Sequence, residues 1–302
     1  MNVKRWMFVQ YKNVLRSISR TGVARKLLPL EVRKAVGRTL KRIVRKITSP
    51  HDEGPFEVLG SKMWIELSSP SAIDMIYGTY EHDTVQVFQE LVQPGMTVVD
   101  VGAHVGFYTL LAARLVGTNG RVYAFEPNPE VYNILVRNIQ INGYREIVRA
   151  VPKGVSNEKR TVSLYVSRER SDEASFYSQE SVDNACIEVE TVRLDEFFAD
   201  EGWPKVDLVK IDVEGAEVEV LEGMRELTSR NKDLKVIVEF NPKNQMRACG
   251  SHTKLFETLV ALGFKRFYAI RHGLKEVDLS EDLKKLIRMT ETTKYVNLLC
   301  EV

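Results

Sequence analysis

Apolar residues in this chain fall into two rhythms that alternate from about residue 93 onward. Short, nearly continuous apolar runs at 96–101, 121–126, 146–151, 206–211, 235–240, 264–270 and 295–301 read as buried strands. Between them, apolar positions recur every three or four residues over 106–116, 129–141, 216–227, 253–262 and 281–288, the spacing of amphipathic helices. The stretch "PEVYNILVRNIQINGY" has Pro129 at its start and Gly143 just past its end, as helix termini prefer. Strands alternating with helices predict an α/β fold, a largely parallel sheet covered on both faces.

Ahead of this region, "FEVLGSKMWIEL" alternates about Gly60-Ser61 and predicts a β-hairpin, followed by a helix through "TVQVFQELV". Residues 152–205 interrupt the strand–helix repeat. They hold two alternating segments, "TVSLYV" and "IEVETVRL", around a polar loop from Ser167 to Asn184 that reads equally as a substrate lid or as simple surface disorder. Pro50, Gly54 and Pro55 mark a boundary near residue 50. The expected organisation is a basic helical arm at 1–50, a hairpin-and-helix cap at 51–92 and the main domain at 93–302.

Charge sharpens this division. The formal net charge of +2 conceals +13 on residues 1–50, where Glu31 is the one acid, and −11 on the remainder. Within the arm, Val32, Val36, Leu40, Ile43, Val44 and Ile47 recur at helical spacing among seven cations from Arg33 to Lys46. Such a helix can lie on an anionic membrane surface or pack on its own body. Nucleic acid is the weaker partner, because the arm has few aromatics and no reading motif. No apolar run is long enough to span a bilayer. Cys186, Cys249 and Cys300 are scattered and odd in number, which argues against a disulfide framework or zinc cluster. The expected location is cytoplasmic, with a peripheral place at the inner face of a membrane open to the arm.

The chemistry concentrates where strands end. "VVDVGAHVGFYT" runs from an apolar strand into Asp100, and Gly102 and Gly106 offer a tight turn and close approach to a ligand. Ala103 and His104 lie between the glycines, and this spacing departs from the dinucleotide fingerprint, so a pyrophosphate is poorly served. S-adenosylmethionine suits the loop better: Asp100 could face its ammonium and the loop N–H groups its carboxylate. The next strand ends in "YAFEPNP", placing Glu126 where an acid can accept both ribose hydroxyls, with Pro127 and Asn128 beside it. "VDLVKIDVEGAE" runs out into Asp212 and Glu214, with Lys210 on the face of Asp212 where it can hold that carboxylate ionised. Glu217 is read as a helix-start acid. "VIVEFNP" closes a fourth strand with Glu239.

These four motifs, in this order, resemble the FkbM family of S-adenosylmethionine-dependent methyltransferases over roughly residues 56–302. "GTYEHDTV" also fits, with Glu81 at the family's acidic position before the first strand. The resemblance implies a Rossmann-like seven-stranded sheet, mostly parallel with an antiparallel last strand, and O-methylation of a hydroxyl on a sugar, glycan, glycolipid or natural product. A hydroxyl is a weak nucleophile and must lose its proton. Asp212 is the first choice of base and Glu239 the second, with Glu214 orienting the acceptor and Lys210 tuning. A divalent metal on acids such as Asp212 and Glu239 is an alternative, not favoured because no His-rich spacing supports it. A rival reading is a non-catalytic membrane or RNA adaptor that keeps the fold as scaffold. An RNA methyltransferase is disfavoured by the acidic body, and a dehydrogenase by the glycine spacing.

Overall fold

The computed structural model describes residues 53–67, 69, 71–167, 174–177, 184–279 and 281–302. The basic arm and most of the polar loop lie outside the described residues. The described chain opens with the hairpin β1 (Glu53–Val58) and β2 (Ser61–Glu66), then α1 (Ala72–Tyr77) and α2 (His82–Leu91). Next come β3 (Thr97–Val101), α3 (Phe107–Val116), β4 (Arg121–Phe125), α4 (Pro129–Ile141) and β5 (Val148–Val151). The insertion supplies β6 (Gly154–Val155), β7 (Thr161–Ser167), β8 (Ala174–Ser175), β9 (Asn184–Val192) and α5 (Leu194–Asp200). The repeat resumes with β10 (Leu208–Ile211), α6 (Glu217–Glu222), α7 (Arg225–Arg230), β11 (Lys235–Phe240), α8 (Pro242–Cys249) and α9 (Lys254–Ala261). It closes with β12 (Arg266–Ile270), β13 (Leu274–Glu276), α10 (Leu283–Thr293) and β14 (Val296–Glu301).

The main sheet runs β13-β12-β14-β11-β10-β3-β4-β5. Its seven longer strands are those the sequence predicts, and β13 adds a short eighth at the edge. β3, β4, β5, β10 and β11 are parallel, whereas β14 pairs antiparallel with both neighbours. This is the expected Rossmann-like α/β arrangement with its last strand reversed. The apolar runs are continuous because both faces are covered. Val98, Leu208 and Ile237 pack into the core beneath the hairpin, α3 and α4; Val99, Val209 and Val236 pack into the opposite core with Leu194, Leu221 and Leu255.

The hairpin cap shares the first of these cores. Asn138 of α4 binds its backbone on both sides, accepting from Trp64 N at 2.6 Å and donating to Trp64 O at 3.2 Å. Its turn is at Leu59-Gly60, one residue earlier than the sequence suggests, with both residues at positive φ. The helix expected over 216–227 breaks at Gly223. There the chain presses so closely on the insertion that a Cβ would lie 2.2 Å from Ser156 O. Three helices, α1, α5 and α8, escape the periodicity because they are short and, in α8, poor in apolar residues. In α8 the signals are Asn241 as N-cap and Pro242 behind it, the same pair that starts α4 at Asn128-Pro129.

Candidate active site

In an open α/β sheet a cleft forms where strand order reverses. Here the reversal falls between β3 and β10, and the carboxyl ends of β3, β4, β10 and β11 open onto a cavity of about 300 Å³. The four acids that end these strands, Asp100, Glu126, Asp212 and Glu239, all line it. Glu81, Gly102, Ala103, His104, Pro127, Asn128, Lys210 and Glu214 line it too. Gly106 does not; it starts α3 behind the loop.

One half of the cavity is built by the loops after β3 and β4. Glu126 is buried, and each carboxylate oxygen accepts one backbone N–H: Oε1 from Asn128 at 2.9 Å, Oε2 from His104 at 2.8 Å. A carboxylate has about four acceptor sites, so this anchoring leaves one direction per oxygen for a ligand hydroxyl. Desolvation raises the Glu126 pKa to about 7, against the two N–H bonds that lower it. Asp100 accepts a 2.5 Å hydrogen bond from Thr109 Oγ1 and is raised to about 6, chiefly by burial.

Two expectations need correction here. Gly102 does not make room for a ligand: a Cβ there would lie 1.9 Å from the backbone oxygen of Asp212. It lets the β3 loop pack against the β10 loop. Gly106, at φ +96, similarly admits Leu135 of α4, whose Cδ1 would be 2.8 Å from a Cβ. The loop N–H groups assigned to a carboxylate are also committed. Gly102 N and Ala103 N donate to Phe125 O, His104 N to Glu126, and Gly106 N to Ala103 O. The first turn of α3 is a further local source of N–H donors.

The other half gathers acids around one buried cation. Strand alternation places Lys210 and Asp212 on one face, as predicted, and Lys210 Nζ reaches Asp212 Oδ2 at 3.0 Å. The ammonium also stands 5.0 Å from the centre of the Tyr108 ring. Burial alone would lower the Lys210 pKa, but Asp212, Glu81 and Glu239 around it carry it above the usual lysine range. It is charged. Glu239 is pushed well above the carboxylate range by desolvation and by neighbouring Asp212 and Glu214. Its Oε1 is buried without a hydrogen-bond partner. Glu81 arrives from the cap: φ of +43 at the start of α2 turns it into the site. There it accepts from Tyr108 OH at 2.6 Å and Tyr295 OH at 2.9 Å.

Glu214 is held by Asn244 Nδ2, which donates to Oε2 at 2.7 Å. Glu217 faces away from the cavity into buried structure. It accepts from Gly215 N at 3.0 Å and Gln245 Nε2 at 2.5 Å, bracing the loop that carries Asp212 and Glu214. The insertion forms a wall. Ser175 Oγ donates to Glu214 O at 2.7 Å, Tyr177 OH donates to Glu219 at 2.5 Å, and Phe176 between them lines the cavity.

Tyr80, Tyr108, Asn241, Lys294 and Tyr295 line the site without having been singled out in the sequence. Tyr108 lies inside the quoted glycine stretch. Tyr295 precedes β14, and because that strand is antiparallel its amino-terminal end reaches the rim. Of the seven non-glycine residues at positive φ among those described, Glu81, His104, Glu214 and Lys294 all border the cavity. Strained backbone of this kind collects at ligand sites.

Fold and site together define a Rossmann-like methyltransferase-type domain. Residues 100–266 match the methyltransferase FkbM domain, more than half of the chain, and the chain belongs to the FkbM family of S-adenosylmethionine-dependent methyltransferases. Residues 39–158 also match the protein-L-isoaspartate(D-aspartate) O-methyltransferase family. Methyltransferase sdnD of Sordaria araneosa is 30% identical over 157 residues, covering 43% of this chain and 60% of that protein. Hexuronic acid methyltransferase AglP of Haloferax volcanii is 29% identical over 146 residues, 48% of this chain and 56% of that protein. The chain thus spans somewhat over half the length of these relatives. The crystal structure of a methyltransferase FkbM from Methylobacillus flagellatus aligns with a TM-score of 0.42 at 13% identity, covering 75% of this chain and 54% of that one.

Proposed function

We propose that the chain transfers a methyl group from S-adenosylmethionine to a hydroxyl of a sugar, glycan, glycolipid or related natural product. The observation that carries this reading is one cavity with two chemically distinct halves: Glu126 anchored at the end of β4, and the Lys210–Asp212 pair at the end of β10. The residues fit the donor. Glu126 retains acceptor capacity for the ribose hydroxyls, Asp100 offers a carboxylate to the ammonium, and the α3 start offers N–H groups to the carboxylate. When bound, the donor supplies a methyl already activated by the positive sulfur.

The protein's part is placement and proton removal. Lys210 Nζ pairs with Asp212 Oδ2 at 3.0 Å, and Asp212, itself only partly buried, can accept the acceptor's hydroxyl proton. Glu239 is the second candidate, weakened as a base at neutral pH by the burial, and then the neighbouring acids, that favour its protonated form. Glu214, fixed by Asn244, orients the acceptor, while Tyr108 and Tyr295 fix Glu81. The isoaspartate O-methyltransferase match ends at residue 158, before the β10 and β11 acids, and so supports the donor half alone. A sugar acceptor is supported by the hexuronic acid relative. The +13 arm brings the molecule to an anionic membrane surface in this reading.

The test combines calorimetry with S-adenosylhomocysteine and radiolabelled transfer to a panel of sugar and glycolipid hydroxyls. Asp212→Asn is expected to retain product binding and lose transfer by roughly 10²–10⁴-fold, the range for a removed general base. Absence of S-adenosylhomocysteine binding to the unmodified chain would refute the assignment.

A further inference from the structure

The geometry points to a divalent cation site formed by Glu81, Asp212 and Glu239 on the acceptor side of the cavity. Resting on the methyl-transfer reading, this site gives the acceptor oxygen a metal to bind. One carboxylate oxygen from each of the three residues lies within 4.8 Å of the others, close enough to share an ion. They come from the start of α2, the end of β10 and the end of β11. No sequence spacing could have announced the set.

A cluster of acids alone does not make a site, but one buried member of this one has an oxygen without a partner. Tyr108 and Tyr295 each give Glu81 one hydrogen bond, and Lys210 occupies Asp212 Oδ2. Glu239, 3% exposed and lining the cavity, has an oxygen with no donor at all. Directly across the β11–β14 pair stands Asn297, also 3% exposed. Its Nδ2 donates to Thr84 Oγ1 at 3.1 Å, while its Oδ1 is likewise unpartnered. The orphaned Glu239 oxygen, on a residue that lines the cavity, marks a place short of a partner.

Formal charge agrees. In their ion-bound form the three carboxylates, set against the Lys210 ammonium, leave two negative charges, which one divalent ion neutralises. Hard oxygen donors of this kind select magnesium, calcium or manganese over softer metals. An ion held there would bind the acceptor oxygen and lower its pKa, so that its proton leaves more readily to a neighbouring carboxylate as the methyl–oxygen bond forms and the methyl–sulfur bond breaks. The histidine ligands whose absence weighed against a metal in the sequence are not needed for such an ion.

The experiment titrates the full chain, freed of metal by chelation, with Mn2+ followed by electron paramagnetic resonance. One saturable Mn2+ site per chain, displaced by excess Mg2+, is expected. Glu239→Gln and Glu81→Gln should each weaken it tenfold or more. S-adenosylhomocysteine calorimetry in chelator runs alongside as a check on folding and on the donor half. No saturable site in the unmodified chain, or unchanged affinity in both variants, overturns the inference. If product binding persists while Mn2+ binding fails, the metal site alone is wrong; if both fail, so is the methyl-transfer reading beneath it.

Discussion

Glu126 shows how a single side chain can be structural and poised for a ligand at once. Its two backbone hydrogen bonds tie the β3 and β4 loops together, while burial holds its pKa near 7 instead of its ordinary value of 4.5. The sign of the consequence follows. The ionised form is the better acceptor for two ribose hydroxyls, and below about pH 7 the free protein holds mostly the protonated form. On the proposed reading, donor binding should therefore weaken as pH falls. Between pH 8 and pH 6 the ionised fraction drops roughly tenfold, and the apparent Kd for S-adenosylhomocysteine should rise by about that factor. Glu126→Gln should bind more weakly at both values and lose most of this slope. A slope that survived the substitution would place the titrating group elsewhere, with Asp100 the next to examine.

Elements, more than residues, decided what was legible in advance. All seven principal strands and the α4 boundaries follow from apolar rhythm and terminal residues, because strands buried on both faces and a well-capped helix leave strong patterns. The acids that end parallel strands were found for the same reason: where the apolar run stops, the rim begins. Tyr295 was not, because its strand runs the other way and its rim residue stands before the apolar run. Glu81 came into view only through family resemblance; its position depends on a left-handed turn that no periodicity encodes. The glycine loop was found, but its purpose was misread. Gly102→Ala should cost roughly 2 kcal/mol or more in denaturant unfolding, since positive φ and a carbonyl 1.9 Å from the new Cβ act together. Gly78→Ala, at φ +70 with nothing within 4 Å, should cost about 1 kcal/mol. Equal costs would mean that the loop contact is soft.

On the scale of the whole molecule, the charge division matters most. The acidic body that holds the cavity has no helix among the described residues long and apolar enough to cross a membrane. The basic arm falls outside the described residues, so its role is a proposal that rests on sequence. Liposome flotation with anionic vesicles should recover the full chain and lose it when residues 1–47 are removed, with added salt reducing recovery. Equal flotation of the truncated chain would show that the arm is not the anchor.

The contact at Gly102 also has a bearing on redesign. Because that residue seats the loop after β3 directly on the main chain at Asp212, the spacing between the Glu126 half of the cavity and the Lys210–Asp212 half is set by the scaffold and cannot be stretched at one end alone. Attempts to fit a bulkier recipient should leave both of those turns intact. They should recut the lining instead at Phe176 and at Lys294, which stand outside the strands of the main sheet.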